Sequence, residues 1–450
     1  MTYDEAVAYL EALIDHERRG FFGAMDGWAG LATINALLGL IGDPHLGLRC
    51  VHIAGSKGKG SVAAMTESIL RAAGLRTGLF TSPHLLSPRE RIRIDGVPID
   101  EATLVRLVEA VRPAFEEVRE GSHLTPPSFF EAYAAMAFLA FAEARVDVAI
   151  LETGLGGRLD ATNVCSPVVC AITTICLEHT DVLGDTLAAI AAEKAGILKP
   201  SVPVVVAAQE PEALQVILDA AARLDSPILA SPDASIVDAP VLGPDDDPRP
   251  QRLRVRIDLG DAPGEREYDL ALLGDHQAVN AAVAVGIAQA LDERSFTIPD
   301  GAIAAGLREV QWPGRLHCVG KHPRLLLDAA HAPAAACTLR EAISTHFRYD
   351  RLWVILGMAS DKDVEGFAAE LSPLNPTVLV THAPSPRALS PEDLAARLSP
   401  ILGPPTLTHD VSAALDLALR LARPDDLVCV TGSVYVVGEA LRHLGLTPFA

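Results

Sequence analysis

Residues 49 to 61 read R-C-V-H-I-A-G-S-K-G-K-G-S, and no other stretch of the chain concentrates as much chemistry. An apolar run, Cys50 to Ala54, ends in a loop of Gly55, Ser56, Lys57, Gly58, Lys59, Gly60 and Ser61. A helical pattern follows at once through Val62, Met65, Ile69 and Ala73, with Gly74 as a stop signal. Strand, glycine loop, lysine, hydroxyl and helix make a phosphate cradle. Small residues let backbone N–H groups approach phosphate oxygens, the helix N-terminus adds positive potential, and Lys59 adds a full charge. We therefore expect the chain to handle a nucleoside triphosphate.

Other reactive residues follow later apolar runs. Thr81-Ser82-Pro83-His84 follows one, Glu152 in L-E-T-G-L-G-G-R-L-D-A-T-N follows another, and Glu178, His179 and Asp181 follow a third. In open α/β sheets ligands bind beyond the carboxyl ends of the strands. If these runs are parallel neighbours, a lysine, hydroxyls, carboxylates and an imidazole meet in one crevice, a donor set suited to Mg²⁺ and phosphate. Plainer readings stand beside these. Ser82 equally suits a turn cap before Pro83, and His179 an ordinary loop histidine. Glu152 reads better as a metal ligand, because an unpaired carboxylate at the end of so apolar a strand is costly.

Lys194 stands apart. From Thr186 onward, Leu187, Ile190, Ala191, Lys194 and Ile197 fall on one helical stripe, and it is the apolar one. Burial would lower the pKa of that amine, and a neutral amine can take up carbon dioxide to give an anionic carbamate ligand. Judged on the residues alone, the plainer reading prevails: Lys194 snorkels to the rim, or pairs with Glu193 or a nearby carboxylate.

The elements that must position these groups are short and apolar. Strands are expected at Cys50–Ala54, Gly78–Thr81, Asp147–Leu151, Val168–Thr173 and Val202–Ala207, then at Leu325–Leu327, Leu352–Leu356, Val378–Val380 and Leu427–Val430. Amphipathic helices separate most of them. Such runs suit strands buried on both faces, so we expect an α/β protein of doubly wound, mostly parallel sheets. The pattern breaks between Ser231 and Glu267, where G-P-D-D-D-P-R-P and the alternating Leu253–Ile257 suggest a small antiparallel excursion. The D-D-D run reads as a solvated turn rather than a metal site. A second break at E-R-S-F-T-I-P-D-G, after an alanine-rich helix from about Asn280 to Leu291, places a domain boundary near residue 296. The expected units are 1–295 and a smaller 296–450.

Net charge of −21 argues against a nucleic-acid backbone or an anionic membrane surface as partner. No apolar stretch reaches the roughly 20 residues of a membrane span, and M-T-Y-D-E-A-V lacks the order of a signal peptide. We expect a cytoplasmic monomer. Seven cysteines, with Cys165, Cys170 and Cys176 clustered but not at C-x-x-C spacing, fit neither a disulfide framework nor a usual zinc site.

The motifs together resemble the folylpolyglutamate synthase/dihydrofolate synthase family of the Mur ligase superfamily. The ordered series includes V-H-I-A-G-S-K-G-K-G-S, T-S-P-H-L, R-E-R-I, S-F-F-E, E-T-G-L-G-G-R-L-D-A-T-N, L-E-H-T-D-V-L-G and E-K-A-G-I-L-K. It continues through G-D-H-Q-A-V-N-A-A, W-P-G-R-L, L-D-A-A-H-A-P, L-G-M-A-S-D-K-D and T-G-S-V-Y-V-V-G-E. The glycine between Lys59 and Ser61 is typical of that superfamily. Only 54 residues precede Gly55, too few for the extra N-terminal domain of ligases acting on nucleotide-linked cell-wall precursors, which favours the folate branch.

The resemblance implies an N-terminal P-loop domain that binds ATP and a Rossmann-like C-terminal domain that binds glutamate. It implies two Mg²⁺ ions: one on Ser82 and Glu152, one on Glu152, His179 and a carbamylated Lys194, which reverses the residue-only reading of that lysine. Asn280, Arg315 and Asp328 match positions that contact ATP. Arg91, His331 and Ser433 match positions that hold the amino acid or act in the reaction, while Phe130 and the G-L-A-T-I-N-A-L-L segment from Gly30 match the pterin-contacting regions. The implied reaction is ATP-driven amide formation between a pteroate or folate carboxylate and L-glutamate, by way of an acyl phosphate.

Three positions depart from the family pattern: Lys57 stands where Asn is common, Glu178 where L-D-H-T is commoner, and Ala332 where A-H-N-P is usual. The last leaves open a Mur-like ligase for another acid and amino acid. A nucleotide-binding module without ligase activity is the remaining alternative, and it would not need a second metal site.

Overall fold

The computed structural model describes residues 1–14, 31–121, 123–258 and 263–449. Gly30, the first residue of the expected pterin-contacting segment, lies outside them.

The first sheet has eight strands. In chain order they are β1 (Cys50–Ala54), β2 (Thr77–Phe80), β3 (Ile92–Ile94), β4 (Val97–Pro98), β5 (Val148–Glu152), β6 (Pro167–Ile172), β7 (Val204–Val206) and β8 (Ile228–Ala230). They lie side by side as β4-β3-β2-β5-β1-β6-β7-β8. The six from β2 to β8 are parallel, and β3 and β4 add an antiparallel edge. Alternation along the central strands sends side chains into two cores. Val51 and Ile53 meet the Lys59–Ala72 and His276–Asp292 helices, whereas Cys50, Phe80 and Leu151 meet the Glu101–Gly121 and Phe129–Ala144 helices.

The expected antiparallel excursion is a three-stranded sheet of β9 (Asp233–Asp238), β10 (Gln251–Asp258) and β11 (Pro263–Leu270), ordered β11-β10-β9. Its Leu253, Val255, Tyr268 and Leu270 join the first core. The intervening D-D-D run is a turn, in which Asp246 accepts a hydrogen bond from Gly243 N–H at 2.7 Å.

The second sheet comprises β12 (His317–Val319), β13 (Arg324–Leu327), β14 (Leu352–Leu356), β15 (Thr377–Val380), β16 (Thr406–Leu407) and β17 (Leu427–Thr431), ordered β12-β13-β17-β14-β15-β16. All neighbours are parallel except β12, and helices cover both faces. The division near residue 296 does not match the packing. Phe296, Ile298, Ile303, Leu307 and Val310 all belong to the first core, and Gly306 packs on the backbone of Ile69. From Leu316 onward side chains enter the second sheet's core, which Leu242 and Leu273 join from earlier in the chain. The break in pattern at 293–301 is a turn between two helices of the same core.

Candidate active site

The glycine loop leaves β1 at its carboxyl end and is tied to the loop after β6. Ser56 N–H and Lys57 N–H both donate to Thr174 O, at 3.0 and 3.1 Å, and Ser56 Oγ donates to Cys176 O at 3.1 Å. Gly58 takes φ +87° as the N-cap of the Lys59–Ala72 helix, a conformation that L side chains rarely adopt. No side chain caps that helix, so its first N–H groups are left to face the crevice. Gly60 permits the approach of Trp312, since a Cβ there would lie 2.6 Å from the indole. Lys59 Nζ donates to Gly55 O at 3.1 Å.

The strand ends bring the other groups to the same place. Glu152 closes β5, and its carboxylate accepts from Ser82 N–H at 3.2 Å. One cavity of about 1230 Å³ runs between the two sheets. On the first side its walls include Ser56 to Ser61, Ser82, Phe130, Glu152, Glu178, His179 and Asn280, with Ile34 from the segment after Gly30. On the second side they include Arg315, Asp328, His331 and Ser433. Asp328 is fixed by accepting from Leu316 N–H at 2.8 Å and Ala330 N–H at 2.9 Å. Asn280 is buried and donates to Gln277 Oε1 at 2.8 Å. Ser433 is the N-cap of the Val434–His443 helix.

Lys194 sits behind the glycine loop. Its Nζ is not at the rim but donates to Gly55 O at 2.8 Å, and the residue is 4% exposed. Glu193 instead pairs with Arg158 at 2.9 Å, so the snorkelling and Glu193-pairing readings both fail. Burial first, and then the charge of Lys59, push the amine down to about 7. His179 has a left-handed backbone, φ +53°, and turns to the cavity. Crowding by the walls, followed by Lys362, Lys59 and Lys194, holds its imidazole down at about 4, with Glu178 pulling the other way. Burial alone would push the Glu178 carboxyl up, but His331, Lys57 and His179 together hold it well below the usual carboxylate range.

Arg91, like Gly55 and Lys194, is not at the cavity wall. Arg91 is 1% exposed, donates to His84 Nδ1 at 2.9 Å, and lies over Phe129 and Tyr133 at 5.0 and 5.4 Å. It props the loop after β2 from beneath. Two residues on, Arg93 reaches the cavity, with its guanidinium 4.9 Å from the Trp312 ring centre and 3.5 Å from that of Phe449. Burial brings it down to about 10. Sequence reasoning missed Arg93 and Trp312, although both lie inside or beside quoted motifs. It also missed Lys362 and Arg387, which bracket Asp361 at the second sheet's side of the cavity.

A phosphate loop opposed by a second parallel sheet defines a class, and two family models match this chain accordingly. The Mur ligase middle domain covers residues 53–288, and the Mur ligase glutamate ligase domain covers 314–434. The chain is 37% identical to a dihydrofolate synthase/folylpolyglutamate synthase of Mycobacterium tuberculosis, over 93% of this chain and 90% of the relative. It is 38% identical to a bifunctional folylpolyglutamate synthase/dihydropteroate synthase of Halobacterium salinarum, over 98% of this chain. There it spans about half of the relative, 51%. The structure superposes on M. tuberculosis folylpolyglutamate synthase complexed with ADP with a TM-score of 0.87 and 35% identity, covering 99% of each chain. The chain belongs to the folylpolyglutamate synthase/dihydrofolate synthase family.

Proposed function

We propose that this chain is an ATP-dependent ligase that joins L-glutamate to the carboxylate of dihydropteroate or a tetrahydrofolate. The observation that carries the reading is the single cavity in which the glycine loop, Ser82 and Glu152 face Arg315, Asp328, His331 and Ser433. The M. tuberculosis relative's name and the ADP in the solved neighbour agree with that chemistry.

A carboxylate oxygen is a poor leaving group, so the γ-phosphate is first transferred to it. The glutamate amine then attacks the carbonyl carbon of the acyl phosphate, and inorganic phosphate leaves. Phosphoryl transfer needs positioning and charge neutralisation above all. The loop N–H groups and Lys59 hold the phosphates, Asn280 and Arg315 flank the nucleotide, and Phe130 offers an apolar surface to the pterin end. Apposition of the two sheets excludes water from the acyl phosphate.

Ser82 and Glu152 are hard oxygen donors at adjacent strand ends and fit one Mg²⁺ beside the phosphates. A second Mg²⁺ on Glu152, His179 and Lys194 requires the carbamate. Among the described residues no group of three His, Cys, Asp or Glu side chains stands ready to hold a metal ion. An imidazole held neutral and an amine held near neutrality suit that arrangement. Bound Mg²⁺ would supply neutralisation of phosphate charge.

We place the hinge between Val310 and Leu316 rather than at 295/296, where the core changes. One chain supplies both walls, so a monomer suffices. Among the described residues no helix is long and apolar enough to cross a membrane, and a cytoplasmic site of action gives access to ATP. The test is phosphate release with ATP, L-glutamate and either dihydropteroate or tetrahydrofolate. Release should require all three, and release indifferent to the pterin acid would overturn the reading.

A further inference from the structure

Lys57 and Glu178, two of the departures from the family pattern, meet in the structure. Lys57 Nζ lies 2.6 Å from Glu178 Oε1. Their loops are zipped by the backbone bonds to Thr174 O, so neither side chain has to search for the other. Lys57 keeps 32% of its side chain exposed and can swing, whereas Glu178 keeps 15% and is walled in. The same Oε1 faces His331 Nε2 across the cavity at 3.8 Å. His331 Nδ1 donates to Ala329 O at 2.9 Å, which fixes the ring on the second sheet's side. Glu178 is thus poised between the phosphate loop and the residues read as holding the amino acid.

With the loop empty, Glu178 is the counter-ion of Lys57. A triphosphate in the loop is a stronger competitor, since it carries several charges and is approached by Lys57 from the same loop. Once Lys57 turns to phosphate, a walled-in carboxylate is left facing the second sheet without its cation, and a buried charge in that position demands a new partner. The amino acid brings one: its ammonium group.

We propose that the Lys57–Glu178 pair orders substrate binding, phosphate taking Lys57 and the released Glu178 carboxylate then receiving the ammonium of the incoming amino acid beside His331. Glu178 is in this sense a binding and positioning residue, and Lys57 the switch that masks it. The inference rests on the ligase reading above.

The experiment compares the full chain with Glu178→Gln, Glu178→Asp and Lys57→Met, using ADP with Mg²⁺, L-glutamate and glutarate, which lacks the ammonium. Glu178→Gln should bind ADP about fivefold tighter, because Lys57 is no longer held back. It should raise KM for glutamate about tenfold at nearly unchanged kcat, yet leave inhibition by glutarate unaltered. Lys57→Met should weaken ADP but bind glutamate equally well with and without nucleotide. Glu178→Asp should recover most of the glutamate KM. Weaker ADP binding in Glu178→Gln, or a parallel loss of glutamate and glutarate, overturns the proposal. Failure of the unmutated chain to bind ADP or consume glutamate refutes the ligase reading instead.

Discussion

Replacing Gly58 by alanine tests the geometry of the phosphate loop at its tightest point. At φ +87° an alanine pays the left-handed backbone cost of about 1–2 kcal/mol. Its Cβ would overlap Asn280 Oδ1 and lie 3.0 Å from Asn280 Cγ. Asn280 is buried in a helix and bonded to Gln277, so turning it away forfeits a buried hydrogen bond of about 1 kcal/mol. Gly58→Ala should therefore lower unfolding free energy by about 2–3 kcal/mol in urea titrations and weaken ADP at least about tenfold by calorimetry. The two contributions separate in a cycle. With Asn280→Ala already present the overlap is gone, and adding Gly58→Ala should cost only the backbone part, about 1–2 kcal/mol. Equal losses in both backgrounds, or a loss under about 0.5 kcal/mol, would refute the reasoning.

Lys59→Ala and Glu152→Ala should each reduce turnover by about two orders of magnitude or more while leaving the melting temperature near that of the unmutated chain; normal turnover removes the assignment. Lys194→Ala should lose activity and regain part of it with small carboxylates standing in for the carbamate. The same residue predicts a stability profile. Its folded pKa of about 7 lies below the ordinary 10.5, so between those values the unfolded chain binds the extra proton and stability rises with pH. Unfolding free energy should climb from pH 7 to pH 10 relative to Lys194→Met, by at most about 5 kcal/mol, and a flat difference sinks the burial argument. Ala332 is the N-cap of the Pro333–His346 helix without a side-chain cap, so Ala332→Asn should add about 1 kcal/mol of stability in urea; no gain would mean the cap geometry is wrong. Arg91→Met should lower stability by about 2 kcal/mol while hardly moving the glutamate KM, whereas a large KM change would restore it to the amino-acid site.

Much of the site was legible because parallel strands buried on both faces leave continuous apolar runs, and ligands gather at their carboxyl ends. Val51 and Ile53 on one face and Cys50 on the other show why the β1 run has no polar alternation. The short edge strands β4, β8, β12 and β16 escaped notice because pairing on one side needs no such run; Ile228 in β8, for instance, is exposed. Arg91 and Arg93 show the limit of a motif. R-E-R-I holds Arg91 and stops one residue short of Arg93, and it is the passage from the one-turn helix Pro88–Arg91 into the strand Ile92–Ile94 that decides which of the two reaches the cavity.

The order of residues along the chain determined the glycine loop, the carboxylate and imidazole at strand ends, and the buried stripe carrying Lys194, since each follows from local spacing. Folding decided the partners: Lys194 with Gly55 O, Lys57 with Glu178, and the first sheet's phosphate loop opposite His331 and Asp328. Those pairs join residues far apart in the chain. Periodicity specifies the face a side chain takes, while only packing of one element on another fixes what that face meets.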